Sequence, residues 1–324
     1  PPTCPFCVTD LVVDHQIGDT EGTGRRDLGP CRRAGRRPYA GERAAGAVGK
    51  RGTAVDSERP VGEREVLADL ATSPPDRVTL FPTCVVDVSA PQVGVATVGA
   101  LERHGIEVEL AADSTCCGQP AWNSGHAAAA HKVARATLRA LAETEGLIVV
   151  PSGSCSTMMR VYWPELFELE GTRSERLIVG DVVGRLVEFS EFLYALDPPS
   201  GAPEGTADRD TPATVYHRSC HMSRELGIVE EPERLLAERA GDVRTSAAQG
   251  RCCGFGGMFS VKMPEVSTAM ADEVLDAIVD TGAERVVACD VSCMMHMQGR
   301  SERRGLGLRF EHLAEVVTSE GASS

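Results

Sequence analysis

The stretch Cys252-Cys253-Gly254-Phe255-Gly256-Gly257 opens with a tripeptide, Cys-Cys-Gly, that also occupies positions 116–118. The two copies are 136 residues apart, and Cys84 and Cys220 are separated by the same distance along the chain. Cys155 and Cys293 are 138 residues apart. Cysteines scattered through a core would not keep a fixed offset at three positions. The repeat therefore indicates a duplicated half-domain, because its period is too long for a solenoid unit.

Short apolar runs alternate with longer helical patterns in both copies of the repeat. Strands are predicted at 78–81, 106–110, 147–150, 213–216 and 285–288, and helices at 126–144, 157–169, 182–196, 231–240 and 264–281. Strands that alternate with helices predict a parallel sheet covered by helices. The predicted fold class is therefore α/β, with two pseudo-repeated parallel-sheet lobes.

Composition divides the chain into four parts. Residues 1–76 are rich in Gly, Arg and Pro and lack apolar periodicity, which predicts a disordered N-terminal extension. The first lobe is predicted at 77–196, a linker rich in Pro and Gly at 197–212, and the second lobe at 213–324. The extension contains a Cys-x-x-Cys pair at 4 and 7, which we interpret as incidental because zinc requires a second pair at suitable spacing.

The charge of the chain argues against several classes of partner. The 324 residues have a formal net charge of −14, whereas proteins that bind nucleic acid or anionic membranes present basic surfaces. No apolar run reaches the roughly 18–20 residues of a membrane span, and no basic segment followed by an apolar run opens the sequence. We expect a cytoplasmic protein with no nucleic-acid partner and no membrane span.

The twelve cysteines indicate metal or redox chemistry more than disulfides, because a cytoplasmic location keeps thiols reduced. Each cysteine group of the repeat follows a strand or a strand-like segment. Ligands of parallel α/β sheets bind beyond the carboxyl ends of the strands, so four thiols are expected to converge in each lobe. Disulfide pairing is the alternative.

Adjacent cysteines narrow the choice of metal. Successive side chains of an extended segment point in opposite directions, so both thiols face one object only if the backbone kinks, which the following glycine permits. A multi-iron cluster accommodates two neighbouring thiolates, whereas a tetrahedral zinc site would leave ligands unused. An iron–sulfur cluster in each lobe is the favoured interpretation, and structural zinc is the alternative.

The strings around these cysteines resemble those of the CCG, or cysteine-rich, domain family. That family includes the cysteine-rich subunit of heterodisulfide reductase and the iron–sulfur subunits of glycolate oxidase and anaerobic glycerol-3-phosphate dehydrogenase. The strings are most similar to the lactate-utilisation A group of proteins, over about residues 77–318. The strings lie at 81–87, 116–125, 151–155, 219–224 and 252–262.

The family pattern is one Cys, then Cys-Cys-Gly, then Cys-x-x-Cys. This chain has Ser152 and Asp290 where the first cysteine of each closing pair is expected, and Cys289, one residue earlier, is kept as a candidate metal ligand. Four thiolates per lobe remain, which suffice for a [4Fe–4S] cluster. The resemblance implies the ligands Cys84, Cys116, Cys117, Cys155, Cys220, Cys252, Cys253 and Cys293.

The resemblance also implies a function. It implies an iron–sulfur electron-transfer subunit of a cytoplasmic complex that oxidises L-lactate to pyruvate, with lactate-utilisation proteins B and C as partners and an electron acceptor that the sequence does not identify. No Gly-x-Gly-x-x-Gly follows a strand, so a flavin or nicotinamide is expected in a partner. No catalytic residue is indicated. The alternatives are a subunit of another oxidoreductase, acting on glycolate or on a heterodisulfide, and a non-redox metal-binding scaffold.

Overall fold

A computed structural model describes residues 66–111, 113–198 and 212–319. These residues all belong to one compact unit, Thr53–Ser324. Residues 1–65 of the predicted extension, with its Cys-x-x-Cys pair, and most of the predicted linker lie outside the described ranges. None of the described helices is both long and apolar enough to cross a membrane.

The first lobe is built on a four-stranded parallel sheet of order β2-β1-β3-β4. The predicted strands form within one residue of the expected bounds. The strands and helices are β1 (Arg77–Leu80), α1 (Cys84–Ser89), α2 (Pro91–Glu102), β2 (Glu107–Leu110), α3 (Gln119–Asn123), α4 (Ala127–Ala142), β3 (Ile148–Val150), α5 (Gly153–Thr157), α6 (Trp163–Glu170), α7 (Arg173–Arg185), β4 (Leu186–Glu188) and α8 (Phe189–Leu196).

The second lobe repeats this plan with a parallel sheet of order β6-β5-β7-β8. The strand order is the same in both lobes, which confirms the predicted pseudo-repeat of two α/β units. The strands and helices are β5 (Thr214–Tyr216), α9 (Cys220–Glu225), α10 (Glu230–Ala240), β6 (Val243–Arg244), α11 (Met258–Lys262), α12 (Pro264–Val279), β7 (Arg285–Ala288), α13 (Val291–Arg304), β8 (Arg309–His312) and α14 (Leu313–Thr318).

Two predicted helices are interrupted. The segment 182–196 is not one helix, because α7 ends at Arg185 and the strand β4 precedes α8. All three residues of β4 are buried, so the strand shows no alternation that would distinguish it from a helix. The segment 157–169 contains one turn of π-helix, Met158–Tyr162, between α5 and α6.

The two lobes share a core in addition to their own. One cluster of buried side chains draws residues from both lobes, among them Phe189, Phe192, Tyr216 and Leu313. At its rim, Arg103 at the end of α2 donates hydrogen bonds to the carbonyl oxygens of Val317 and Thr318, at 2.7 and 2.8 Å. Because the shared core removes apolar surface of both lobes from water, it stabilises the association of the two lobes.

The carboxyl group of Glu188 lies in the interior of the protein. It is completely buried, and its Oε2 accepts hydrogen bonds from Ser190 N at 2.7 Å and from Ser190 Oγ. Its Oε1 has no hydrogen-bond partner within the described ranges. Burial raises the pKa of Glu188 to about 7, because the charged form loses its hydration; the hydrogen bonds from Ser190 offset part of that effect.

We expect the Glu188→Gln chain to gain about 2 kcal/mol more stability at pH 8 than at pH 5, relative to the wild type. The native state keeps a proton on Glu188 up to pH of about 7, whereas an unfolded glutamate releases it near its ordinary value of 4.5. The wild type therefore loses stability as pH rises through this window, and glutamine cannot. Urea unfolding of the reduced, metal-free chain at both pH values measures the difference.

The exposed Glu170→Gln variant is the matched control for this measurement. It makes the same substitution at the end of α6, where the side chain is exposed to solvent. It should follow the wild type at both pH values. A Glu188→Gln chain that also follows the wild type would show that the Glu188 carboxyl is charged throughout the window.

Candidate metal centres

The first-lobe thiols meet at the carboxyl edge of their sheet. Cys84 begins α1, separated from the end of β1 by three residues, and Cys155 lies in α5, after β3. The Sγ atoms of Cys84 and Cys116 are 3.5 Å apart, and those of Cys117 and Cys155 are 3.4 Å apart. Cys116 and Cys117 are hydrogen-bonded to each other, so the four sulfurs form one continuous group.

The second-lobe thiols form a matching group. The Sγ atoms of Cys253 and Cys293 are 3.0 Å apart, and Cys252 is hydrogen-bonded to both Cys220 and Cys253. The nine cysteines from Cys84 to Cys293 are all free thiols. Within the described ranges, no group of three or more His, Cys, Asp or Glu side chains is arranged to hold a single metal ion.

A glycine in the left-handed region follows each adjacent cysteine pair. Gly118 has a φ of 90° and Gly254 a φ of 87°. Their backbone N–H groups donate to Cys116 Sγ at 3.5 Å and to Cys252 Sγ at 3.4 Å. A Cβ at Gly118 would lie 2.8 Å from the carbonyl oxygen of Ala130. The glycine thus supplies both the kink that brings two neighbouring thiols together and the close approach of the following helix.

Side chains from helices without cysteines hold the backbone of each pair. In the first lobe, Trp163 Nε1 donates to the carbonyl oxygen of Cys117 at 2.9 Å, and Thr137 Oγ1 donates to that of Cys116 at 3.0 Å. In the second lobe, Ser267 Oγ donates to the carbonyl oxygen of Gly254 at 2.7 Å. Sequence reasoning missed these three residues, since no spacing relates them to the cysteines.

Hydrogen bonds among the thiols lower the pKa of the accepting cysteine and raise the pKa of the donating cysteine. The pKa of Cys116 lies well below that of an ordinary thiol, because Cys116 accepts hydrogen bonds first from Cys117 and then from Cys84. The pKa of Cys252 is lowered in the same way by Cys220 and Cys253. The hydrogen bond and burial raise the pKa of Cys84, the donor. The central thiol of each group therefore ionises more readily than an ordinary thiol, and the thiolate is the form that binds metals.

The sequence pattern of a known family covers both groups of thiols. The CCG family, described as "Cysteine-rich domain", matches residues 78–160 and again residues 214–298. Each match contains one complete set of four converging thiols. The chain belongs to the CCG family.

Several relatives match this CCG protein over nearly their whole length and over three quarters of its own. "Lactate utilization protein A" of Macrococcus caseolyticus is 40% identical over 245 residues, which are 75% of this chain and 97% of the relative. The protein of the same name from Bacillus cytotoxicus is 39% identical over 247 residues, with coverages of 75% and 99%. That from Bacillus cereus strain B4264 is 41% identical over 248 residues, again with coverages of 75% and 99%.

Ser152 and Asp290 stand where the resemblance predicts a further cysteine, and both are helix caps in the structure. Ser152 Oγ accepts a hydrogen bond from Cys155 N at 3.3 Å at the start of α5. Asp290 Oδ1 accepts one from Cys293 N at 3.4 Å at the start of α13. Each cap orients the first helical turn, which carries the closing cysteine of its CCG domain.

The structure does not bring Cys289 to the second group of thiols. Its side chain is completely buried in the core that the two lobes share, and Tyr216 donates its hydroxyl to Cys289 Sγ at 3.3 Å. Asp290, the next residue, is the N-cap of α13, so Cys289 precedes the helix, whereas Cys293 lies in its first turn.

The second group of thiols borders a recess to which both lobes contribute. This recess is lined by all four cysteines of the group, Cys220, Cys252, Cys253 and Cys293, and by first-lobe residues. Among those, Gln119 donates its amide to the carbonyl oxygen of Ser154 at 3.0 Å. The second CCG domain therefore presents its sulfurs to a surface that the first domain helps to build.

Proposed function

We propose that this chain holds an iron–sulfur cluster in each CCG domain and transfers electrons during the oxidation of L-lactate to pyruvate. One observation supports the proposal above all others: two sets of four free thiols converge at equivalent edges of two parallel sheets. The name of the relatives supports lactate as the substrate class.

The donor set fits a cluster with four cysteine ligands. Cys84, Cys116, Cys117 and Cys155 would hold iron in the first domain, and Cys220, Cys252, Cys253 and Cys293 in the second. A [4Fe–4S] cluster in either place would supply reversible one-electron chemistry. Gly118 and Gly254 donate backbone N–H groups to the cysteine sulfurs, and such hydrogen bonds stabilise a cluster that carries negative charge.

The adjacent cysteine pairs favour iron–sulfur clusters over zinc. Structural zinc sites usually draw on two separated Cys-x-x-Cys pairs around one ion. Here two thiols come from consecutive residues and meet only because a glycine bends the backbone behind them. Several irons spread over a cluster offer neighbouring thiolates separate metal atoms, which a single small ion does not.

Partners complete the proposed reaction. Oxidation of L-lactate to pyruvate releases two electrons and two protons, and two clusters that each accept one electron match that count. We assign the removal of hydrogen from the hydroxy acid, and any flavin or nicotinamide, to lactate-utilisation proteins B and C. The electrons then pass to an acceptor outside this chain, and the complex is placed in the cytoplasm.

Anaerobic purification with iron, sulfide and zinc analysis tests the cofactor. We expect about eight iron and about eight sulfide per chain, with an electron paramagnetic resonance signal that appears on reduction. A colourless protein with stoichiometric zinc would reject the proposal. The chain assembled with its two partners should reduce an electron acceptor with L-lactate and not with glycolate, and the opposite preference would reassign the substrate.

A further inference from the structure

Asp290 lies between the closing cysteines of the two thiol groups. Its Oδ1 accepts hydrogen bonds from Cys293 N and from Ser292 Oγ, both in its own domain. Its Oδ2 accepts a hydrogen bond of 2.8 Å from Ser154 N, which precedes Cys155 in the other domain. Asp290 is only 1% exposed, so water competes little for either oxygen. One carboxylate therefore joins the backbone of both sites.

The segments around this carboxylate approach each other closely. Gly153 N donates to the carbonyl oxygen of Cys289 at 3.0 Å, beside the bond from Ser154. A Cβ on Gly153 would lie 2.7 Å from the Cβ of Met222, so α5 packs directly on α9. These helices carry Cys155 of the first site and Cys220 of the second. The two thiol groups are thus held on touching helices.

The equivalent residue of the first domain shows that helix capping alone does not require an aspartate. Ser152 caps α5 through Cys155 N, and its other side-chain hydrogen bond, to Ser154 Oγ at 3.4 Å, also stays within the first domain as far as the chain is described. Serine has one oxygen and a short side chain. Aspartate has a second oxygen, and in Asp290 that oxygen is the one that reaches the other domain.

We propose that Asp290 is a positioning residue that fixes the separation of the two metal centres. The hydrogen bonds of Oδ1, here called the Oδ1 arm, position the turn that carries Cys293. The hydrogen bond of Oδ2, the Oδ2 arm, positions the turn that carries Cys155. The consequence for cluster spacing rests on the proposed function, while the link between the domains exists in the metal-free chain. Electron exchange between two clusters depends steeply on their distance, so a fixed link has a direct use in such a protein.

Asp290→Asn breaks one arm and keeps the other. Asparagine is a good helix N-cap, so its oxygen still accepts from Cys293 N. Its amide nitrogen, placed where Oδ2 was, is a donor that faces the donor Ser154 N–H. Asp290→Ser copies the serine of the first domain and is too short to reach Ser154. We expect the two variants to behave alike.

Hydrogen exchange of the metal-free chain tests the link without any cluster. Residues 153–157 should exchange roughly tenfold faster in Asp290→Asn and Asp290→Ser than in the wild type, and residues 291–297 should be unchanged. Ser292→Ala is the matched control, since it removes a hydrogen bond from the Oδ1 arm only and should leave residues 153–157 protected. Unchanged protection of residues 153–157 in both Asp290 variants would overturn the proposal.

The magnetic interaction between two reduced clusters tests the spacing. The loaded Asp290→Asn chain should keep its full iron content but show a weaker spin–spin interaction than the wild type, while Ser292→Ala keeps the wild-type interaction. An interaction that Asp290→Asn leaves unchanged at full iron content overturns the positioning role. A wild-type chain without iron rejects the proposed function instead, and the exchange experiment then decides the role of Asp290 alone.

Discussion

The Cys252→Ser chain should bind about four iron atoms where the wild type binds about eight, and it should keep the paramagnetic signal of one cluster. Cys252 is the central thiol of the second group: it is hydrogen-bonded to Cys220 and Cys253 and accepts the N–H of Gly254. A serine hydroxyl keeps its proton at neutral pH and is a poor ligand for a soft metal site. Loss of this ligand should therefore empty the second site.

The first site should survive this change, because its four thiols belong to a separate sheet with its own supports. Trp163 and Thr137 hold the backbone of Cys116 and Cys117 without help from the second lobe. Cys116→Ser is the matched reciprocal variant and should empty the first site alone. Iron and sulfide assays with paramagnetic resonance measure both variants.

Cys289→Ser is the control that distinguishes a ligand from a buried thiol. Its side chain lies in the shared core against Tyr216, so this variant should keep the full iron content. If Cys289→Ser lost as much iron as Cys252→Ser, the four-cysteine assignment of the second site would be wrong. A complete loss of iron in Cys252→Ser would mean that the two sites fill only together.

The convergence of the cysteines was predictable because topology alone places them. Cys84, Cys116 and Cys155 each follow a strand, and parallel strands end at one edge of a sheet. The kink at Gly118 followed from the geometry of adjacent side chains. No side-chain packing had to be known for either inference, which is why one sequence sufficed for the fold class and for the grouping of thiols.

The rest depends on contacts between segments that are distant in sequence. β4 has three buried residues and pairs in parallel with β3, so its identity comes from its neighbour and not from its own pattern. The environment of Cys289 follows from the core that the two lobes share. The second arm of Asp290 likewise exists only because Ser154 of the other lobe lies beside it. Spacing within one lobe carries no information about these contacts.

Gly254→Ala should destabilise the chain much more than Gly250→Ala, although both glycines have positive φ angles, of 87° and 71°. An alanine in the left-handed region costs about 1–2 kcal/mol at either position. At Gly250 nothing lies within 4 Å of the added Cβ. At Gly254 the Cβ would overlap the carbonyl oxygen of Ser267 in α12 and lie 3.0 Å from the Cβ of Met270. Relief of that overlap requires α12 to move, which adds roughly 1–3 kcal/mol.

Urea unfolding of the metal-free chains separates the two contributions, because Gly250→Ala measures the backbone conformation alone. The difference between the variants then measures the close approach of α12 to the cysteine pair. Since the displaced Ser267 also holds the carbonyl oxygen of Gly254, the Gly254→Ala chain should bind about half the iron, whereas Gly250→Ala keeps all of it. Equal stability losses with full iron in both variants would mean that the glycine of Cys-Cys-Gly is required only for its positive φ angle. The close contact with α12 would then be dispensable for the site.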